Sequence, residues 1–241
     1  MVAMRALLIS LRDPTDPMAE HERKCFADRS SLPLDAVDMH PMQRGRPSPE
    51  HLKPYDAVFF GGSGAYSVLD DVDWIRAGVD LCLDVIRLQI PGYASCFGFQ
   101  GLSMAMGGEV VSDAARTELG ATPLQLTDAG AADSLFKILP RRFDAQEGHH
   151  DHVTRLPPGV TLLATGEVSP YQAFRVDGAP FWASQFHPEL TRESTVARFI
   201  HYRDLYSTNP EEAEKTLQTL GSREDSPELA GLLARLVRHQ F

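Results

Sequence analysis

Short apolar runs alternate with longer amphipathic stretches in the first half of this chain, and the alternation predicts a β-α-β order of elements. Ala6 to Leu11 is an apolar run of strand length, and Tyr55 to Phe60 (YDAVFF) is a second one. The stretch from Asp73 to Leu88 has helical spacing, and a strand-compatible segment follows from Pro91. Strands joined through helices favour parallel pairing. We therefore expect an α/β fold with a mostly parallel central sheet and helices on both faces.

Weaker signals complete the predicted set of elements. Asp16 can cap a helix that has Pro17 at its first position and runs to about Asp28. Leu34 to Met39 is expected to be a weaker strand, and the proline-rich, charged segment through Pro54 a surface loop. The later predicted strands are bounded by turn residues, and they are Glu109 to Val111, Ala121 to Thr127, Thr161 to Thr165, Ala173 to Val176 and Phe181 to Gln185.

The C-terminal part of the chain is predicted to be helical. Thr191 to Tyr206 has a helical pattern that closes the main domain, which we place at residues 1–206. Residues 207–241 form an extension with helix starts at Asn209-Pro210 and Ser226-Pro227. The apolar side chains that share one face of its last helix are Leu229, Leu232, Leu233, Leu236 and Val237. A short amphipathic helix needs a surface to dock on, so we expect the extension to pack on the domain; a partner or dimer helix is the alternative.

Composition places the chain among ordinary globular proteins. It has 241 residues, 43% of them hydrophobic and 23% charged, which suits one domain with an appendage. The net charge of -10 argues against a nucleic-acid surface, because phosphate binding needs clustered Lys and Arg. No apolar run reaches membrane-spanning length, so no membrane partner is expected. The start, MVAMRALLISLRD, has too short an apolar core for a signal peptide and predicts a buried strand.

The chain has three cysteines, an odd number, and their spacing does not match a disulfide framework. This indicates a reducing, cytoplasmic environment. Cys25 and Cys82 lie in helical patterns and are expected to be structural. Cys96 lies where a strand turns into a helix, between the small residues Ala94 and Gly98. Such an elbow lifts the side chain out of the sheet, and the N–H groups of the following helix favour a thiolate. Although most lone cysteines are buried hydrophobes, Cys96 is our candidate nucleophile.

Motifs elsewhere in the chain support this interpretation of Cys96. Gly98 and Gln100 complete a C-x-G-x-Q pattern, and a distant QFHPEL segment supplies His187 and Glu189. Four segments in order resemble the class I, triad-type glutamine amidotransferases, and most of all stand-alone proteins similar to the amidotransferase domain of GMP synthase. They span most of the first 200 residues or so, and they are FFGGSGAYSV (59–68), ASCFGFQ (94–100), EGHHDHVTRLPPG (147–159) and ASQFHPE (183–189).

The resemblance implies a flavodoxin-like class I amidotransferase fold and a role for each matching residue. Cys96 would be the nucleophile, His187 the base, and Glu189 the acid that orients the imidazole. The backbone N–H groups of Gly62 and Phe97 would form the oxyanion hole.

The resemblance also implies a glutamine pocket. Gln100 would hydrogen-bond the amino-acid end of the substrate. The H-x-D-x-V match makes His150 and Asp151 candidates for substrate contact, through main-chain groups that hold the α-carboxylate. Many relatives have glycine where His150 stands, so the shape of this pocket is expected to differ.

Two other interpretations of these segments carry less weight. The glycine loop after Phe60 has neither the P-loop nor the dinucleotide-binding pattern, so it does not favour nucleotide binding. His149 and His150 are adjacent and would point apart on an extended chain, which disfavours a zinc site. We therefore predict no metal and no cofactor.

The implied reaction is hydrolysis of the γ-amide of glutamine through a Cys96 thioester, giving glutamate and ammonia. No synthase domain is visible, so a separate synthase or acceptor subunit would use the ammonia. The main alternative is a free-standing γ-glutamyl peptidase or γ-glutamyl-amide hydrolase. A broad-specificity cysteine protease and a non-catalytic interaction module are disfavoured, because the pocket motifs and the triad residues are all present. A homodimer is left open.

Overall fold

The computed structural model describes residues 4–206, 209–220 and 222–241. Nine strands form one sheet in the order β2-β1-β3-β4-β11-β10-β9-β6-β7, and β5 pairs with β8 in a separate ribbon. The strands of both sheets are β1 Ala6–Ser10, β2 Val37–Pro41, β3 Ala57–Phe60, β4 Gly92–Ser95, β5 Glu109–Ser112, β6 Glu118–Leu126, β7 Arg142–His149, β8 Asp151–Arg155, β9 Val160–Gly166, β10 Ala173–Val176 and β11 Phe181–Ser184.

Helices occupy most of the connections between these strands. The α-helices are α1 Pro17–Ser30, α2 Pro49–Leu52, α3 Asp73–Arg87, α4 Phe97–Ala105, α5 Asp128–Ala132, α6 Arg192–Tyr206, α7 Pro210–Leu220 and α8 Leu232–Val237. Short 3₁₀ turns lie at Leu34–Ala36, Met42–Arg44, Ala114–Arg116, Phe136–Ile138 and Pro227–Gly231. Among the described residues, no helix has the length and apolar content needed to cross a membrane.

The large sheet has a parallel part and an antiparallel part. Strands β2, β1, β3, β4 and β11 pair in parallel, while β10, β9, β6 and β7 extend the sheet in antiparallel pairs. The parallel part follows from the strand–helix–strand order of the sequence, because a parallel pair needs a crossover connection. The predicted α/β class is confirmed, and the antiparallel strands add a second half to the sheet.

Both faces of the inner parallel strands β1, β3, β4 and β11 are buried, whereas the edge strand β2 is only partly buried. In β1, Ala6 and Leu8 contribute to one apolar cluster, whereas Leu7 and Ile9 contribute to the cluster on the other face. Residues of α1 and α8 complete the first cluster, and residues of α3 and α4 complete the second. A strand covered on both faces is apolar at every position, which is why these strands appear as continuous apolar runs rather than alternating ones. Helices lie on both faces, as predicted.

Some element boundaries differ from those expected. The predicted strand over Leu34 to Met39 begins with a 3₁₀ turn, because Pro33 accepts a hydrogen bond from the Ala36 N–H (2.9 Å), and the strand starts only at Val37. Strand β6 begins at Glu118 rather than Ala121, since it pairs with β7 along its length. Pairing over a distance of about thirty residues leaves no local pattern in the sequence.

The last helix packs into the core of the main domain. The five apolar side chains predicted to share one face, Leu229, Leu232, Leu233, Leu236 and Val237, are all at most 1% exposed and belong to the first apolar cluster. Helix α8 contacts α1, and Leu220 of α7 packs against Gly120 of β6. The position of the boundary at residue 206 stays a prediction.

Removal of one of these side chains tests how far the core depends on the extension. Leu236→Ala is expected to lower the free energy of unfolding by about 2–5 kcal/mol, because a fully buried leucine leaves both lost burial and a cavity. Leu69→Ala is the matched control, since Leu69 is 43% exposed and its loss should cost no more than about 0.5 kcal/mol. Urea unfolding midpoints compare the two variants, and equal midpoints would show that α8 is not part of the core.

Candidate active site

Three neighbouring parallel strands end at one edge of the sheet, and the candidate residues follow them directly. Gly61 and Gly62 follow β3, Cys96 follows β4, and His187 comes three residues after β11. Ligands of open α/β sheets bind at this carboxyl edge of the strands. The topology therefore brings together residues that lie far apart in the sequence.

Cys96 occupies a strained turn between β4 and α4. Its backbone has φ 49° and ψ -102°, in a region that residues with a side chain rarely adopt. Its N–H donates to the Ser184 carbonyl (2.8 Å), and its carbonyl accepts from the Gln100 N–H (3.0 Å). A Cβ on Gly98 would lie 3.1 Å from the Phe60 carbonyl oxygen, so glycine permits the close approach of α4 to β3.

His187 and Glu189 form a buried pair on the loop after β11. Glu189 Oε1 lies 2.6 Å from His187 Nδ1, and Arg198 Nη1 lies 3.6 Å from the same oxygen. Burial by itself would raise the pKa of Glu189, but the charge and hydrogen bond of His187 and the charge of Arg198 lower it overall. The carboxylate is therefore charged at neutral pH, and its contact with Nδ1 orients the imidazole of His187.

Cys96 and His187 line the same cavity, which has a volume of about 40 Å³. Gly148 lies near both, because its carbonyl oxygen is 3.9 Å from Cys96 Sγ and a Cβ at this position would lie 4.0 Å from His187 Nε2. Gln185 Nε2 also approaches the sulfur, to 3.8 Å. A long side chain at position 148 would extend toward His187, so glycine keeps this part of the cavity open.

The thiol of Cys96 is neutral in this environment. Burial raises its pKa, and the nearby charges of Glu147 and Glu189 raise it further, against smaller opposite effects of Arg198 and the Phe97 N–H. The elbow geometry was expected to favour a thiolate, but burial has the larger effect on the pKa and favours the neutral thiol. An attack by this sulfur requires His187 to accept its proton as the new bond forms.

The two predicted oxyanion donors differ in their surroundings. The Phe97 N–H interacts with the sulfur of Cys96. The Gly62 N–H instead donates to Glu22 Oε1 (3.0 Å), and that carboxylate also pairs with Arg12 at 3.1 Å. The Gly62 N–H can therefore donate to an oxyanion only after its hydrogen bond to Glu22 has broken. Its role stays a prediction, with Glu22 as a competitor that the sequence did not indicate.

A second cavity of about 290 Å³ adjoins the first, since Cys96 and Gly148 line both, and Gln100, His150 and Asp151 also line it. Gln100 Nε2 donates to the Asp151 carbonyl (2.7 Å), so this amide group holds the pocket wall. The Asp151 carboxylate accepts from Ser67 Oγ, and His150 Nδ1 lies 2.6 Å from Thr117 Oγ1. These three residues are brought together as predicted from the resemblance, and their contact with a substrate stays a prediction.

The histidines of the 149–152 segment do not converge. His149 Nδ1 lies 2.9 Å from the Asp151 carbonyl oxygen, and its Nε2 faces Glu147 and Glu118 at 3.3 and 3.4 Å. His150 points toward Thr117 instead. Within residues 4–206, 209–220 and 222–241, no three His, Cys, Asp or Glu side chains have metal-binding geometry.

Several buried charged residues near the site could not be identified from sequence patterns. Arg12, Glu22 and Arg198 are at most 8% exposed, and Glu22 Oε1 lies within 3.3 Å of both guanidinium groups. Arg198 is 176 residues from Glu22, and no motif links the two. Glu147 belongs to the EGHHDHV segment, yet its burial beside Cys96 is visible only in the folded chain.

The fold and the site together define an α/β protein with a cysteine at a strand-to-helix elbow and a histidine–carboxylate pair beside it. The family model described as Glutamine amidotransferase class-I matches residues 33–202. The chain belongs to the class-I glutamine amidotransferase family.

Relatives and solved structures agree with this family. A GMP synthase (glutamine-hydrolysing) subunit from Sulfolobus acidocaldarius is 34% identical over 163 residues, 68% of this chain and 80% of that protein. The GMP synthase of Thermosipho africanus is 36% identical over 46% of this chain, which spans 20% of that protein. A crystal structure of a glutamine amidotransferase from Thermotoga maritima has a TM-score of 0.72 at 21% identity, covering 98% of this chain and 99% of that one. At this identity the structural similarity shows the fold.

The neutral state of Cys96 can be measured by alkylation. Because its pKa is raised, the thiolate fraction at pH 7 is small, and iodoacetamide should modify Cys96 at least about tenfold more slowly than free cysteine. The rate should still increase above about pH 9. Mass mapping of the alkylated peptide separates Cys96 from Cys25, whose pKa burial raises to about 11. A rate that levels off below about pH 8 would show a thiolate already stabilised by His187.

Proposed function

We propose that this protein hydrolyses the γ-amide of glutamine to glutamate and ammonia. The observation that carries the proposal is that Cys96 lines two adjoining cavities, one of which His187 also lines, with Glu189 paired to that histidine, while Gln100, His150 and Asp151 line the larger one. The larger pocket suits the amino-acid end of glutamine, and the smaller one suits the group that leaves. Cys96, His187 and Glu189 act as nucleophile, base and orienting acid.

The first half of the reaction forms a thioester. Cys96 Sγ attacks the amide carbon while His187 Nε2 takes the thiol proton, and the carbonyl oxygen becomes an oxyanion facing the Phe97 N–H. His187 then passes the proton to the amide nitrogen. The C–N bond breaks, ammonia departs, and the γ-glutamyl group stays on the sulfur.

The second half returns the enzyme to its starting state. Water enters the space that ammonia left and attacks the thioester, with His187 accepting its proton. The C–S bond breaks, glutamate departs, and the proton returns to Cys96. Glu189 stays charged throughout and stabilises the imidazolium in both halves.

The size of the smaller cavity favours ammonia as the leaving group. A cavity needs about 10–15 Å³ to hold one water, so about 40 Å³ accepts about three molecules of the size of water or ammonia. Leu119 and Leu220 close part of this cavity. A γ-glutamyl peptide or conjugate has a larger leaving group than this cavity holds, so we favour glutamine over the peptidase alternative.

Use of the ammonia by a separate synthase subunit is part of the proposal. The Sulfolobus relative is named as one subunit of a glutamine-hydrolysing GMP synthase. By analogy, we propose that a second polypeptide accepts the nitrogen, and that glutamine hydrolysis by the present chain increases when the two are mixed.

Substitution of the nucleophile tests the proposed reaction directly. Cys96→Ala removes the only atom that can form the thioester, so glutamate release from glutamine should fall at least about a thousandfold. Cys25→Ala is the matched control, because Cys25 lies on α1 and does not line the cavity. Glutamate is measured by a coupled assay at steady state. Full activity of Cys96→Ala would refute the assignment.

A panel of substrates tests the preference for a small leaving group. We expect kcat/KM for glutamine to exceed that for γ-glutamyl peptides and bulky γ-glutamyl amides, because the cavity beside His187 holds only about three molecules of the size of ammonia. Each substrate is compared through its rate of glutamate release. A preference for a γ-glutamyl conjugate would make the protein a γ-glutamyl hydrolase of the alternative type.

A further inference from the structure

Glu147 forms part of the wall of the cavity that Cys96 and His187 share. Its side chain is fully buried. Oε2 lies 3.3 Å from His149 Nε2, and within the described part of the chain Oε1 has no hydrogen-bond donor. A buried carboxylate with so few donors costs considerable free energy, and proteins usually satisfy or avoid such groups. The position of Glu147 beside the reacting atoms points to a ligand that supplies the missing donors.

The surroundings of Glu147 leave a negative charge without full compensation. His149 Nε2 lies 3.3 Å from Glu147 Oε2, but it also lies 3.4 Å from Glu118 Oε2, so one imidazolium is shared by two carboxylates. Burial raises the pKa of Glu147 to about 7, even with the lowering effect of its contact with His149. One histidine thus faces two carboxylates, which leaves their negative charge only partly compensated.

The other charges at the cavity balance each other. Glu22 is paired with Arg12 and Arg198, and Glu189 is paired with His187 and approached by Arg198. Both arginines direct their guanidinium groups at these carboxylates, whereas the ion-pair contact of Glu147 is with His149. The cavity thus offers an undercompensated acceptor to a small molecule that carries N–H groups and a positive charge.

We propose that Glu147 binds the nitrogen that leaves from the γ-amide and stabilises it in its protonated form. This inference rests on the proposed function. In the tetrahedral intermediate, His187 transfers a proton to the –NH₂ group, which becomes –NH₃⁺ before the C–N bond breaks. The carboxylate of Glu147 accepts hydrogen bonds from this group, and the attraction is strongest when the nitrogen is cationic. The electron pair of the C–N bond leaves with ammonia as the carbonyl forms again.

An ester substrate separates this role from a structural one. The γ-methyl ester of glutamate forms the same Cys96 thioester but releases methanol, which leaves without an ammonium group. For Glu147→Gln at about pH 8, kcat/KM for glutamine should fall about tenfold or more, as expected for loss of a hydrogen bond to a charged group. In the same variant, kcat/KM for the ester should change by no more than about twofold. Glu147→Asp, which keeps the charge, should recover part of the activity on glutamine.

Glu109→Gln is the matched control. Glu109 is exposed and does not line the cavity, so the ratio of amide to ester activity should be unchanged. Unfolding midpoints verify that the variants fold. Equal losses on both substrates, or no loss on glutamine in Glu147→Gln, would overturn the role of Glu147. A wild-type chain inactive on both substrates would instead overturn the proposed function itself.

Discussion

The left-handed backbone at Cys96 is the constraint on which the rest of the site depends. A non-glycine residue in such a region costs on the order of 1–3 kcal/mol and persists only when its surroundings determine it. Here β4 is held between β3 and β11, the Cys96 N–H is bonded to Ser184 of β11, and α4 starts at the next residue. The turn cannot relax without breaking the centre of the sheet. The pairing of β4 with its two neighbours therefore holds the Cys96 sulfur at the sheet edge where the loop with His187 begins.

Buried charges fix the elements that surround this sulfur. Glu22 of α1 and Arg198 of α6 meet below the Gly62 loop, and Arg198 also approaches Glu189. Ion pairs of this kind contribute little net stability, because desolvation offsets most of their attraction, yet loss of one partner leaves a buried charge. These ion pairs act by fixing positions. All of the charges are paired only when α1, α6 and the loop after β11 lie as they do here. The position of His187 depends on that arrangement as much as on its own loop.

The sequence predicted those features whose causes are local. The apolar runs of β1 and β3 and the small residues around Cys96 indicated strands and an elbow, because each depends on a few neighbouring residues. His187 and Glu189 were found through a short motif, since both lie on one loop. The antiparallel pairing of β6 with β7 and the partners of Glu22 were not predictable, because they join residues far apart without a recurring pattern. The sequence did not predict the raised pKa of Cys96 for a related reason. The helix N-terminus that favours a thiolate can be identified from neighbouring residues, whereas the burial that raises the pKa depends on the whole fold.

The charge of Glu147 at first works against the nucleophile, because it is one of the groups that raise the pKa of Cys96. The same field has the opposite effect once the sulfur has attacked. Under the proposed mechanism, His187 passes its proton to the leaving nitrogen, and a carboxylate in a medium of low polarity stabilises that cation. A site that disfavours a free thiolate but favours a protonated amine gains selectivity for the stage at which the C–N bond breaks. The proposed role of Glu147 therefore combines a weaker resting nucleophile with stabilisation of the step at which an amide is hardest to cleave.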